Sequence, residues 1–375
     1  MKWISISLLV STLLLFGVWI GVSTAEGFNP EKIEFAGSMN TEKALNPVTD
    51  TYTNFVYFPA VFRQYTVPTW QQFGLPGKRI ESITLSPVSI LYIGTYKQGL
   101  YVSYDAGNTW SIIDAGISIS ATISNIVIDP FDTQKMYLTS SYSYPFFFTS
   151  QDGGKSWIPG GATTHPPNIL AEDTNVPGRL FSGDIPLDLV GGRVYKTDDS
   201  GLNWTMVLTE QIFPTEIAVS SMNSGTIFVS SAKGMYRSKD GGDNWEHLTN
   251  GLPDTDVVNV VLHPVDSSIA YANAQMHIYK TTDGGDSWEV WGEDHPANGI
   301  RKWLINTDYP EVHYAIFGST DIYISKNGGK QWQPFVNGLN SIEVNDLILD
   351  ITSTYLYAGT QNGIWIMNLA AGNKQ

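Results

Sequence analysis

The pattern Ser/Thr-x-Asp-x-Gly-x-x-Trp occurs repeatedly in this chain and restricts its fold more than any other feature. Its copies begin at Ser103-Tyr104-Asp105 and end in Trp110, Trp157, Trp204, Trp245, Trp288 and Trp332. Their acidic positions are Asp105, Asp152, Asp199, Asp240 and Asp283, with Asn327 in the last copy. Successive copies lie 47, 47, 41, 43 and 44 residues apart. A period of this length requires supersecondary units stacked in a line or arranged radially. Within a unit, Gly supplies the positive φ of a tight turn. Asp or Asn folds back on the turn's amides, Ser/Thr does so too, and Trp buries a large ring on the next strand. The six boxes are therefore read as structural staples between two strands.

The repeat extends beyond the boxes. Ahead of each lies a strand with an aromatic second residue, at Tyr92, Tyr137, Phe181, Phe228, Tyr271, Tyr314 and Tyr357, which makes seven units. Each is preceded by a short apolar strand such as Ile126-Val127-Ile128 or Val260-Val261-Leu262, as fully buried strands require. A third strand carries Tyr101, Phe148, Tyr195, Tyr236, Tyr279, Tyr323 or Trp365, and a fourth begins at the box Trp. Each unit is thus a four-stranded antiparallel meander, the blade of a β-propeller. The seventh unit has no box and only three strands. Its fourth is predicted at the other end of the domain, where Trp70-Gln71-Gln72-Phe73 parallels Trp332-Gln333-Pro334-Phe335. The expectation is an all-β, seven-bladed ring closed by its N-terminal strand, which removes two exposed edges.

These boxes resemble the Asp-box (BNR) repeats of β-propellers, whose boxes lie away from the ligand-binding face. Over residues 68–370 the chain looks most like exported seven-bladed propellers of the photosystem II stability and assembly factor kind, through its third strands and the terminal Gly359-Thr360-Gln361-Asn362-Gly363-Ile364-Trp365. That resemblance implies a non-enzymatic protein that docks on a membrane-protein partner. The chain departs from that group's arginine-rich binding face, being acidic with a formal charge of −15. Sialidases are similar in the boxes, but their Arg-Ile-Pro signature is absent, since Arg63 precedes Gln64-Tyr65, and the six arginines are scattered. Box-containing endoglucanases and sortilin-type receptors use two propellers or a larger ring than 375 residues hold.

The acidic balance argues against nucleic acid and anionic membrane surfaces, which reward basic faces. With no cysteine there are no disulfides and no thiolate metal site. An uncharged apolar run from Trp3 to about Val22, then Ser23-Thr24-Ala25, reads as a signal peptide or an uncleaved anchor over 1–25. The rest is expected to be exported: a linker over 26–67, the propeller over 68–370 and a tail over 371–375. A monomer without cofactor or metal is expected.

Function is expected on the face opposite the boxes, where the loops joining strands two and three and those joining successive blades meet around the central channel. Tyr142 and Tyr144, in a Ser/Tyr-rich loop of blade two, are candidate partner or sugar contacts. Asp184 and Asp188 in blade three are the alternative catalytic pair, since paired carboxylates serve glycoside hydrolysis. His295 and Arg301, between blades five and six, are further binding candidates, although none of the six histidines shows ligand spacing. The reading is a non-catalytic propeller that binds a protein of the cell envelope or a polysaccharide. The alternative is a glycoside hydrolase or lyase working at the channel mouth.

Overall fold

Seven four-stranded antiparallel sheets make up the ring, and the described residues contain no helix. The computed structural model describes residues 68–141, 144–161, 167–184, 192–292, 295–296, 299–339 and 342–370. In blade two the strands Thr122–Ile128, Met136–Ser141, Phe147–Ser150 and Ile158–Pro159 pair in chain order, as do their counterparts in the other complete blades. The last sheet alone breaks chain order. Gln71–Gly74 pairs antiparallel with Gly363–Asn368, Gln71 facing Ile366 and Gln72 facing Trp365. Trp70 occupies the place of a box Trp. Its backbone N–H donates to Asn337 O at 2.8 Å, as Trp157 N donates to Ala115 O and Trp288 N to Asn250 O in boxed blades. The indole of Trp70 adds a bond to Phe335 O at 2.8 Å. The expected seven blades and their N-terminal closure are both present.

Each box is a closed hydrogen-bond circuit. In blade four Ser238 Oγ donates to Asp240 Oδ1 and accepts from Gly242 N, and Asp240 Oδ1 accepts from Asn244 N. The Asn244 side chain then bonds Asp240 Oδ2 at 2.7 Å. The box Gly has a second duty besides its φ of +88°. A Cβ on Gly242 would lie 2.8 Å from the ring of Phe181, the strand-two aromatic of the preceding blade. Phe228 abuts Gly285 of the next blade in the same way. With Gly154 against Tyr92, the two repeating signals in the sequence form one blade-to-blade contact at three boxes, while Phe73, Phe147 and Trp303 with His313 meet Gly107, Gly201 and Gly329 at the others. All seven strand-two aromatics are buried, each contributing roughly 1.5–3 kcal/mol if fully withdrawn from water. Trp157, Trp245, Trp288 and Trp332 donate Nε1–H to their own box Gly carbonyl. Trp110 and Trp204 depart from this, their buried Nε1 having no partner among the described residues.

A further repeat was not visible beforehand. Every innermost strand carries a bulge near its start, between Ile80/Ser82, Ile123/Asn125, Pro167/Ile169, Pro214/Glu216, Val257/Asn259, Ile300/Lys302 and Val344/Asp346. Bulges raise local twist and redirect a side chain. Here they act at the mouth of the channel opposite the boxes, where the innermost strands begin.

Candidate functional site

The residue after each bulge is polar in six of seven blades: Ser82, Asn125, Glu216, Asn259, Lys302 and Asp346, with Ile169 in blade three. Three of them are charged and come together from blades four, six and seven. Lys302 Nζ lies 3.1 Å from Asp346 Oδ1. Asp346 is buried and also accepts from the backbone amides of Ile83, at 2.8 Å, and Leu347, at 2.9 Å. The Asp346 carboxylate raises the Lys302 ammonium above its usual range, against the effect of burial. Burial likewise pushes the Glu216 carboxyl up, Lys302 opposing and Asp346 reinforcing the shift. A cavity of about 350 Å³ runs along the channel wall here, lined by Glu216, Asn259, Lys302 and Trp303 and extending to His263 and Pro264 at the box end.

Around this core the rim alternates in charge. Arg79 Nε pairs with Glu81 at 2.7 Å, and Arg301 Nη1 stands 3.8 Å from Glu343. Burial raises the Glu81 carboxyl, the neighbouring Arg79 lowering it in part. Arg301, a sequence candidate, thus sits on the bulge itself and beside the charged cluster. The other candidates lie elsewhere. Tyr144 is 74% exposed in its loop, with its ring edge-to-face against Phe146 at 5.7 Å. His295 bonds through Nδ1 to Pro296 O at 3.0 Å. Asp184 is buried at the end of strand two, where its Oδ1 accepts Arg193 N–H at 2.6 Å. Thr95 and Thr360 close the equivalent hairpins through Gly99 O and Gly363 O. Tyr142 and Asp188 lie outside the described residues.

Glu216, Lys302 and Asp346 escaped sequence reasoning because each sits inside an apolar strand rather than a loop. Aligning the innermost strands on their apolar triplets, such as Ile217-Ala218-Val219 and Leu347-Ile348-Leu349, would have found them as the residue immediately before each. The arginines are dispersed as expected: Arg179 ties to Asp198 at 2.6 Å, and buried Arg237 ties Glu246 and Asp286, both at 2.6 Å, locking blade four to blade five. Among the described residues no cluster of His, Asp or Glu has the grouping of a metal site.

Two further buried groups titrate abnormally but face away from that mouth. Glu172, at the box end of its strand, is pushed by burial and by Asp129 to about 7. His313, packed between Trp303 and Tyr271, is held by burial at about 4. Its Nε2–H donates to Pro310 O at 3.0 Å, leaving Nδ1 to accept Trp303 Nε1–H at 3.3 Å.

Ring, boxes and closing strand together define a seven-bladed Asp-box β-propeller. The family model described as Sortilin-Vps10 (sortilin, neurotensin receptor 3) matches residues 233–361. A xyloglucanase from Paenibacillus sp is 25% identical over 224 residues, 49% of this chain and 22% of that protein, so the matched stretch is about a fifth of the relative's length. Among solved structures, YCF48 from Cyanidioschyzon merolae superposes with a TM-score of 0.61 at 15% identity, covering 80% of this chain and 98% of that one. A GH74 xyloglucanase from Xanthomonas campestris superposes with a TM-score of 0.62 at 16% identity, covering 80% of this chain and 53% of that one. At these identities the superpositions establish the fold.

Proposed function

We propose that the protein is an exported, non-catalytic propeller that binds an extended segment of an envelope protein at the channel mouth opposite the boxes. The observation that carries this reading is the cavity of about 350 Å³ lined by Glu216 and Lys302, with buried Asp346 3.1 Å from the Lys302 ammonium, within a rim of alternating charge. Fixed charges of both signs beside an apolar wall favour a mixed-charge peptide over a uniformly anionic ligand. A propeller of the same fold is known bound to a peptide, YCF48 with D1 peptide.

A second reading rests on one specific observation. Glu216 and Asp346 occupy different settings across Lys302, the first pushed up by burial and the second fixed by two amides and an ammonium. Carboxylates in unlike environments are how acid and base roles are divided in glycoside chemistry. The two readings separate in one experiment. The full chain and its Lys302→Ala and Glu216→Gln variants are offered both envelope extract and xyloglucan. Protein binding predicts a captured protein that is lost with Lys302→Ala, and no new reducing ends. Release of reducing ends that disappears with Glu216→Gln would replace binding by hydrolysis.

A further inference from the structure

The face carrying the boxes has its own repeating surface. Each innermost strand ends in a turn to strand two, and a polar side chain closes that turn by accepting backbone amides: Asp129 from Phe131 and Asp132, Ser220 from Met222 and Asn223, Asn306 from Asp308 and Tyr309. The closure holds the next residues at the tip, pointing off the ring. In six of the seven blades one of the three residues after the closing side chain is apolar: Val88, Phe131, Met222 and Val265 stand two residues on, Tyr309 three and Ile351 one. All six are between 51% and 76% exposed, although none belongs to an exposed strand. In blade three Asn175 takes the place and is spent on a bond to Ser220 O of the next blade. Exposed apolar residues on the opposite face fall in loops of different kinds, Ile119 and Phe213 between blades and Met276 between strands two and three.

A crown of apolar tips around a channel mouth is an interaction surface. Two observations identify what it meets. The chain enters the ring at the box end of the outermost strand of blade seven, at Pro68-Thr69-Trp70, and the sequence preceding that point contains the uncharged run from Trp3 to about Val22. The tips are also interleaved with carboxylates, Asp132, Asp266, Asp308 and Asp350, in a chain of net charge −15. Such a surface is repelled by anionic lipid but is compatible with zwitterionic headgroups, whose ammonium groups face outward. We propose that the box face is a membrane-contacting face, its apolar tips entering the interface of a zwitterionic bilayer while the charged mouth points away from it.

The absence of native cysteine makes the test direct. A polarity-sensitive fluorophore is placed on the full chain at Thr307→Cys, in a box-face turn, or at Ser120→Cys, between blades one and two on the other face. With phosphatidylcholine vesicles carrying a nitroxide lipid, the label at 307 is expected to shift blue and lose at least half its emission, while the label at 120 stays unchanged. Replacing part of the phosphatidylcholine by phosphatidylglycerol should weaken the effect. The triple variant Met222→Glu/Val265→Glu/Ile351→Glu should abolish it with an unchanged melting curve, since all three side chains are exposed. Equal quenching at both sites, or quenching that survives the triple variant, would overturn the proposal. So would shielding of position 307 that requires an added envelope protein, because the face would then be a protein interface.

Discussion

Ser238 shows how much of the fold depends on single polar atoms. Its hydroxyl takes the buried Gly242 amide and orients Asp240, so Ser238→Ala leaves that donor without a partner. Such a group costs about 1–3 kcal/mol when left unsatisfied, and the loss is measured by urea denaturation, with Ser238→Thr expected to retain the bond. The box carboxylates are held low by their own turns: hydrogen bonds from the Asn203 side chain and backbone keep Asp199 at about 2, and Asn244 does the same for Asp240. Stability from these groups is present above the unfolded carboxylate range and is lost only as pH falls towards 2. Glu172 works in the opposite sense and His313 in the same one, each within its own window. Glu172 is raised from 4.5 to about 7, so the folded state loses stability as pH rises between those values. Glu172→Gln should therefore raise Tm at pH 8 by a few degrees and leave it unchanged at pH 4. His313 is lowered from 6.5 to about 4, so stability falls as pH drops through that interval. The two slopes cancel where their windows overlap, so the wild-type Tm should be nearly flat between about pH 4.5 and 6.5, whereas Glu172→Gln, left with the His313 contribution, should gain Tm with pH over that interval.

At the scale of the strand, closure rests on four residues, Gln71–Gly74, and on the indole ahead of them. Trp70→Ala removes a buried ring and its indole bond to Phe335 O of blade six, though not the backbone bond to Asn337 O, at a cost of about 3–5 kcal/mol. Limited proteolysis of that variant is expected to cut first in blade seven, whose Gly363–Asn368 strand would become an edge. The closing strand was legible because Trp70-Gln71-Gln72-Phe73 repeats the chemistry of Trp332 onward, and the boxes were legible because turn residues are few and keep their spacing. The channel cluster was not. Glu216, Lys302 and Asp346 lie in strands read as apolar, and only a bulge, which leaves no residue signature of its own, turns them toward one another. Asp184 illustrates the reverse. Its loop looked like a place for chemistry, yet it holds the hairpin position that Thr95 and Thr360 fill elsewhere.

For the molecule as a whole, seven four-stranded blades form a ring with two unlike mouths. One gathers mixed charge around a cavity, and the other is edged by apolar tips. Reversing charge at the rim of the first, with Arg301→Glu, is expected to leave Tm within a few degrees of wild type while strongly weakening partner capture, because Arg301 is exposed and stands 3.8 Å from its nearest carboxylate. The central claim is that the mouth opposite the boxes binds protein. It is tested most directly by placing a photo-crosslinking residue at position 301 of the full chain and irradiating it in envelope extract. The account predicts one discrete protein adduct at 301 that is absent when Lys302 is also replaced. Adducts only with polysaccharide, or none at 301 while the same probe at Val265 captures a protein, would contradict it.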